Sequence, residues 1–539
     1  MFGSMPHRLT ALTKAISRRE WLTLAAAAGA FPQQAAVEWT DSNPQVVKHR
    51  PRTIRLRPDD VTAIMAFDAQ VRGNLAPPPQ PRPSLNADFA VGGFTSPADA
   101  MTWTVLLPDA GEYAASLLYN GANEALRGSV MEIAVWPSGR VIHEPLQERW
   151  WAPARPWVAR HRLSALLPFG AGENRITFRL TTVADAQGRL AKSAGVATRG
   201  AQNQDFRVWS IELGRPAAIA AMQARARELH SSNQWMIDGK YGLFTHFSPL
   251  TYPFHGDSMA YTNWQWGVEL FDAGAYADGV EATGARWVIL TTSHGLVFWP
   301  GPNRTIDRLL KGRTCRRDLI LDLANELGKR GIRLCLYFHF GATDHPWRQA
   351  VGMNDEDSSR MADNFASLFE EVSRRYGEKL WGFPYIDDGF FRAYQHDPPW
   401  ERWARAIKSG HREALVGFSP NRGPAVTPFS DLQVGDSGGS LPEPAPAAMY
   451  APSGPLAGLE PGWYIAMDGW RTRQPFNGAF HEPPRFSREE YIQYFQKMAA
   501  ARIPVTINLI ITQDVTRRQP FFNPRCLDIM KSVRRAVWG

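Results

Sequence analysis

His246, His294, His339, the adjacent carboxylates Asp387 and Asp388, the Asn421–Arg422 pair, Asp436, Asp468 and Asn508 share one property. Each stands at the end of an apolar run of strand length. Such runs read as buried strands, which do not readily bury charge. Eight polar strand ends in succession predict one pocket able to bind many hydroxyls. Trp264, Trp266, Trp299, Tyr337, Trp347 and Trp470 accompany them. Their rings suit the apolar face of a sugar, although tryptophan also fills cores.

Several chemistries could use such a set. Metal-assisted hydrolysis needs a tight ligand group, and "HFGATDHPW" offers only a loose pair of histidines beside Asp344. Nucleophilic serine chemistry needs a strand-to-helix elbow, and the "GDSGG" at 435–439 leads into the proline-rich "LPEPAPA" and not into a helix. Two carboxylates acting on a glycosidic bond remain, one attacking the anomeric carbon and one protonating the leaving oxygen. No cofactor is expected for either role.

The elements that must position these groups lie in the second half of the chain. Expected strands are 242–248, 287–294, 333–340, 380–388, 414–420, 431–436, 463–469 and 505–511, with helices between most of them. In 316–331, Leu319, Leu323 and Leu327 share one face. Ser487 with Glu490 forms a capping box, and Asn523 followed by Pro524 opens a last helix. Little room separates the fifth and sixth strands, so an irregular crossover is expected there. The alternation predicts a (β/α)8 barrel of the TIM type over residues 216–539, with its chemistry at the strand C-termini. A doubly wound sheet is the rival, but no glycine-rich phosphate loop follows the first strand.

Residues 40–215 alternate apolar and polar in short runs, such as "TWTVLLP" and "NRITFRLTTV". They predict an all-β, jelly-roll-like sandwich. The order of its pieces resembles carbohydrate-binding modules. Trp150, Trp151 and Trp157 there could be sugar platforms or interface fillers.

Over residues 235–539 the sequence resembles the α-L-fucosidases of glycoside hydrolase family twenty-nine. The carriers are "GKYGLFTHFSP", "GARWVILTTSHGLVFWP", "TCRRDLILDLANELGKRGIRLCLYF", "WGFPYIDDG", "VGDSGGSLPE" and "MAAARIPVTINLII". The resemblance implies a retaining exo-glycosidase with His246 binding sugar, the nucleophile within "YIDDG", and Glu443 as acid/base. Glu460 and Asp436 are rivals for the last role. His294, Trp299, Tyr337, Tyr385, Arg422 and Trp470 complete the expected sugar contacts. Side-chain alternation turns Ile386 outward and Tyr385 and Asp387 inward. The glycine after Asp388 favours Asp388 instead. Gly295 stands where the family has a second histidine, which leaves open a sugar other than fucose. A carbohydrate-binding protein with a decayed site is a further alternative.

Near the N-terminus, Arg18 and Arg19 precede an alanine-rich apolar stretch. This resembles a twin-arginine export signal over residues 1–36, giving a periplasmic or secreted protein. No other membrane segment is expected. The net charge of +8 comes from scattered residues, which excludes a nucleic-acid footprint. The expected partner is an oligosaccharide or glycoconjugate substrate, and the sequence leaves the oligomeric state open. Cys315, Cys335 and Cys526 are too far apart for a zinc site and imply no disulfide framework.

Overall fold

The computed structural model describes residues 51–539 apart from 76–90, 95, 121–128, 147–157, 183–205, 248–260, 295, 342–343, 354, 356, 388–397, 420–426, 436–439, 453–455, 471–482 and 513–520. The export signal, Trp150, Trp151, Trp157, Asp388, Asn421, Arg422 and Asp436 therefore lie outside the described residues.

Strands between Thr53 and Gly214 form two six-stranded sheets facing each other across a shared apolar core. Alternation builds this sandwich. In Ala100–Leu107, every second side chain is buried, because strand neighbours point to opposite faces. Met65, Phe67, Leu118 and Trp209 do not join that core. They pack with Ala226 and Leu229 of the helix Pro216–Leu229 in the cluster that also holds the barrel's outer layer. Arg225 on this helix donates to Glu401 at 2.9 Å. One sheet of the sandwich is thus seated on the second half of the chain.

The second half is a parallel barrel. Its spatial strand order is Leu415–Phe418, Gly382–Asp387, Arg333–His339, Trp287–Thr291, Tyr241–His246, Val505–Asn508 and Trp463–Ala466. Every neighbouring pair is parallel. The eighth place is filled by the extended segment 431–434. Asp431 donates its N–H to the Val416 carbonyl at 2.7 Å, and Leu432 bridges Glu460. Over its described residues the expected sixth strand is therefore an irregular element with one bridge, and the crossover before it, residues 420–426, lies outside the described residues.

Two layers of side chains result from strand alternation. Leu243, Val288, Leu334, Phe338, Phe383, Ile386 and Ile507 face the helices. Phe244, Trp287, Ile289, Cys335, Tyr337, Tyr385 and Tyr464 fill the barrel interior. Gly242 exists to admit Trp287: a Cβ there would stand 2.3 Å from the indole. The expected helix signals operate as well. Asp318 caps Leu319–Gly328, whose Leu319, Leu323 and Leu327 are buried. Ser487 and Glu490 complete their capping box, and Asn523 caps Pro524–Trp538.

Candidate active site

Asp387 ends the fourth barrel strand. Ile386 belongs to the outer layer and Tyr385 to the interior, so alternation turns Asp387 to the interior side of the strand. The register supports this, pairing Tyr337 with Tyr385 and His339 with Asp387. The Tyr337 hydroxyl donates to Asp387 Oδ2 at 2.7 Å. A charge-assisted bond of this kind fixes the rotamer of a carboxylate.

Around this pair the strand ends converge. The His246 ring lies 5.5 Å from His294 and 6.4 Å from Trp470. His294 lies 5.7 Å from His339 and stacks near Tyr337 at 6.3 Å. Tyr385 sits edge-on to Tyr337 at 5.3 Å. His246 Nδ1 is 2.9 Å from Asn508 Oδ1, and His339 Nδ1 accepts the Gly341 N–H at 3.0 Å. Among the described residues, tyrosines, histidines and the inward carboxylate of Asp387 thus line the C-terminal mouth of the barrel, with Trp470 at its side.

His294 owes its place to a hairpin in which Ser293–His294 pairs with Leu296–Val297. Buried charge holds this hairpin. Asp344 Oδ2 accepts the Val297 N–H at 3.0 Å and Arg313 Nη1 at 2.8 Å, while Arg313 Nη2 reaches Oδ1 at 3.2 Å. Asp344 also caps the helix His345–Val351. It is therefore engaged in an ion pair and a cap. Among the described residues, no group of three His, Cys, Asp or Glu is arranged to hold a metal ion.

Of the expected site residues, the structure brings together Asp387, His246, His294, Tyr337, Tyr385 and Trp470. It does not bring Trp299 or Glu443. Trp299 donates its backbone N–H to Arg313 at 2.7 Å and is fully buried in the layer between strands and helices. With its ring wholly buried in that layer, it caps the core and offers no sugar platform. Glu443 is exposed and ion-paired with Lys497. Lys497 lies in the last turn of the helix Arg488–Ala500, which leads into the N-terminal end of the strand Val505–Asn508. Glu443 therefore stands toward the face of the barrel opposite Asp387. Glu460 shares that face. It lies 3.9 Å from His230, and its carbonyl accepts the Gln433 N–H.

His339 and Asn508 join the cluster although the expected sugar contacts omit them. Alternation was the available signal, since Asn508 lies two residues after the inward Thr506, whose hydroxyl takes the Trp287 indole N–H at 3.0 Å. Asp468, another polar strand end, serves a different purpose. Its Oδ1 accepts the Ile510 N–H at 3.0 Å, and Oδ2 meets Cys526 Sγ at 3.3 Å. Burial pushes its carboxyl up to about 6.

Comparison with known proteins matches residues 215–397 to the family model described as alpha-L-fucosidase. The tissue alpha-L-fucosidase of Bos taurus is 26% identical over 182 residues, 27% of this chain and 38% of that protein. The plasma alpha-L-fucosidase of Homo sapiens is 24% identical over 229 residues, 36% of this chain and 45% of that one. The matches thus span less than half the length of these relatives. Among solved structures, alpha-L-fucosidase isoenzyme 1 from Paenibacillus thiaminolyticus aligns at 15% identity over 58% of this chain and 75% of its own, with a TM-score of 0.41. The stretch similar to the α-L-fucosidase family is therefore residues 215–397, which run from the first barrel helix past Asp387.

Proposed function

We propose that this chain is a retaining exo-glycosidase that releases a terminal α-L-fucosyl residue, with Asp387 as nucleophile. The observation that carries this reading is the inward, Tyr337-bonded carboxylate of Asp387 inside a ring of histidines and aromatic rings. Asp387 attacks the anomeric carbon as the leaving oxygen takes a proton from a second carboxyl. Water then hydrolyses the glycosyl-enzyme, with that second group acting as base. Asp436 is our choice for the second group. It follows in sequence the extended segment 431–434, whereas Glu443 and Glu460 belong to the opposite face. His246, His294 and His339 bind hydroxyls, and Trp470 offers an apolar face. The twin-arginine pattern fits an exported enzyme that meets glycoconjugates outside the cytoplasm.

Trapping with a 2-fluoro-fucosyl fluoride, followed by mass mapping of the labelled peptide, tests this reading. A label on Asp387 is expected. A label on Asp388, or on neither, overturns the assignment. Gly295, in the place of a second histidine, favours a second reading in which the sugar is not fucose. A panel of nitrophenyl glycosides separates the two.

A further inference from the structure

The barrel mouth contains a chain of hydrogen bonds that fixes protons as well as positions. Asn508 is fully buried at the end of the last strand. Its Nδ2 donates to the Gly469 carbonyl. Only the nitrogen end of an amide can make that bond, so the backbone carbonyl sets which way the amide points. Oδ1 is then the atom 2.9 Å from His246 Nδ1. An amide oxygen has no proton to give, so Nδ1 carries it, and in the neutral ring Nε2 holds the lone pair. The Gly469 carbonyl is itself anchored, because the preceding Asp468 is bonded to the Ile510 N–H at 3.0 Å and lies 3.5 Å from Asn523 Nδ2.

His339 carries the opposite arrangement. Its Nδ1 accepts the Gly341 N–H at 3.0 Å, so its proton belongs on Nε2. One mouth therefore holds two histidines in opposite tautomers, each dictated by a group that does not titrate.

We propose that Asn508 is a positioning residue that locks His246 in the Nδ1–H tautomer, so that Nε2 accepts a hydrogen bond from a hydroxyl of the bound sugar. His339 supplies the matching Nε2–H donor. The polarity of the pocket toward hydroxyls is thus written by Asn508 and Gly341. This inference rests on the glycosidase reading for its ligand, but its first test does not.

The test is long-range nitrogen–proton NMR on the full-length protein labelled at histidine nitrogens. His246→Gln and His339→Gln spectra assign the two signals. Wild-type His246 should show the Nδ1–H pattern and His339 the Nε2–H pattern near neutral pH. Asn508→Leu should release His246 from Nδ1–H while leaving His339 unchanged. Asn508→Asp, which keeps an oxygen acceptor, should retain Nδ1–H. On a cleaved glycoside, Asn508→Leu should raise KM about 2- to 10-fold, the loss of one hydrogen bond, with kcat changed less than about 2-fold. A wild-type His246 in the Nε2–H form, or a tautomer that survives Asn508→Leu, overturns the proposal. The wild-type spectrum decides even if the leucine variant does not fold. A correct tautomer in a protein that cleaves no glycoside would sink the functional reading and leave the Asn508–His246 relation standing.

Discussion

The Tyr337 hydroxyl and the Asp387 carboxylate meet at 2.7 Å across two adjacent parallel strands. The relation is possible because Tyr337 and Asp387 both face the interior, Tyr337 from one residue pair lower in the register. Tyr337→Phe removes the donor and little volume. A hydrogen bond to a charged group contributes about 1.5–3 kcal/mol. The expected result is a fall of roughly 10- to 100-fold in kcat/KM, with the thermal midpoint lowered by no more than about 10 °C. Steady-state kinetics with circular-dichroism melting checks it, and an unaffected rate would remove Tyr337 from the machinery.

Glu443 and Asp436 make opposite predictions. The Glu443–Lys497 pair is exposed, and such pairs contribute about 0–1 kcal/mol. Glu443→Gln should leave kcat/KM within about 2-fold. Asp436→Ala should lose about 100- to 10,000-fold on a substrate with a poor leaving group, the usual weight of acid catalysis. It should lose far less on a nitrophenyl glycoside, and added azide should restore turnover. The reverse pattern would return the acid/base role to Glu443.

The barrel was legible because fully buried parallel strands read as unbroken apolar runs, and because alternation sorts such runs into two faces. Ile386 beside Phe338 in the outer layer, with Tyr385 against Tyr337 in the interior, is that sorting in space. Trp299 escaped it. Its segment is held by backbone pairing to Arg313 and Thr314, partners that no periodicity reveals. Glu443 escaped for a related reason: the resemblance located a segment, and a segment between two strands can run over either end of a barrel. The amide of Asn508 is likewise oriented by Gly469, 39 residues away. Local patterns decide which way a strand residue faces. Long-range hydrogen bonds decide what it does there.

Asp468 makes stability depend on pH in an unusual direction. Burial raises its carboxyl from 3.8 to about 6 in the folded chain. The folded state then binds this proton more tightly than the unfolded one does. The associated stability is fully present below pH ~4 and is lost as pH rises through 6. A shift of this size corresponds to roughly 3 kcal/mol. Asp468→Asn has no such titration. The unfolding free energy of the wild type minus that of the variant should therefore fall by up to that amount between about pH 4 and pH 6.5. Urea titrations at several pH values measure it, and a flat difference would contradict the burial argument.

The Arg313–Asp344 pair is almost wholly removed from solvent, with side-chain exposures of 4% and 0%. It also serves the site, since Asp344 holds the Val297 N–H and Arg313 the Val297 carbonyl in the hairpin that carries His294. Asp344→Ala leaves a guanidinium buried against the Phe298 ring without its carboxylate, which costs about 3–5 kcal/mol. Asp344→Asn keeps an oxygen for one of these donors, and its cost should be smaller. If the pair positions His294, Asp344→Asn should raise KM several-fold while the protein remains folded at 25 °C. A variant that is destabilised yet binds substrate normally would show that the pair supports the fold alone. Measuring KM alongside the urea midpoint for both variants distinguishes the two outcomes.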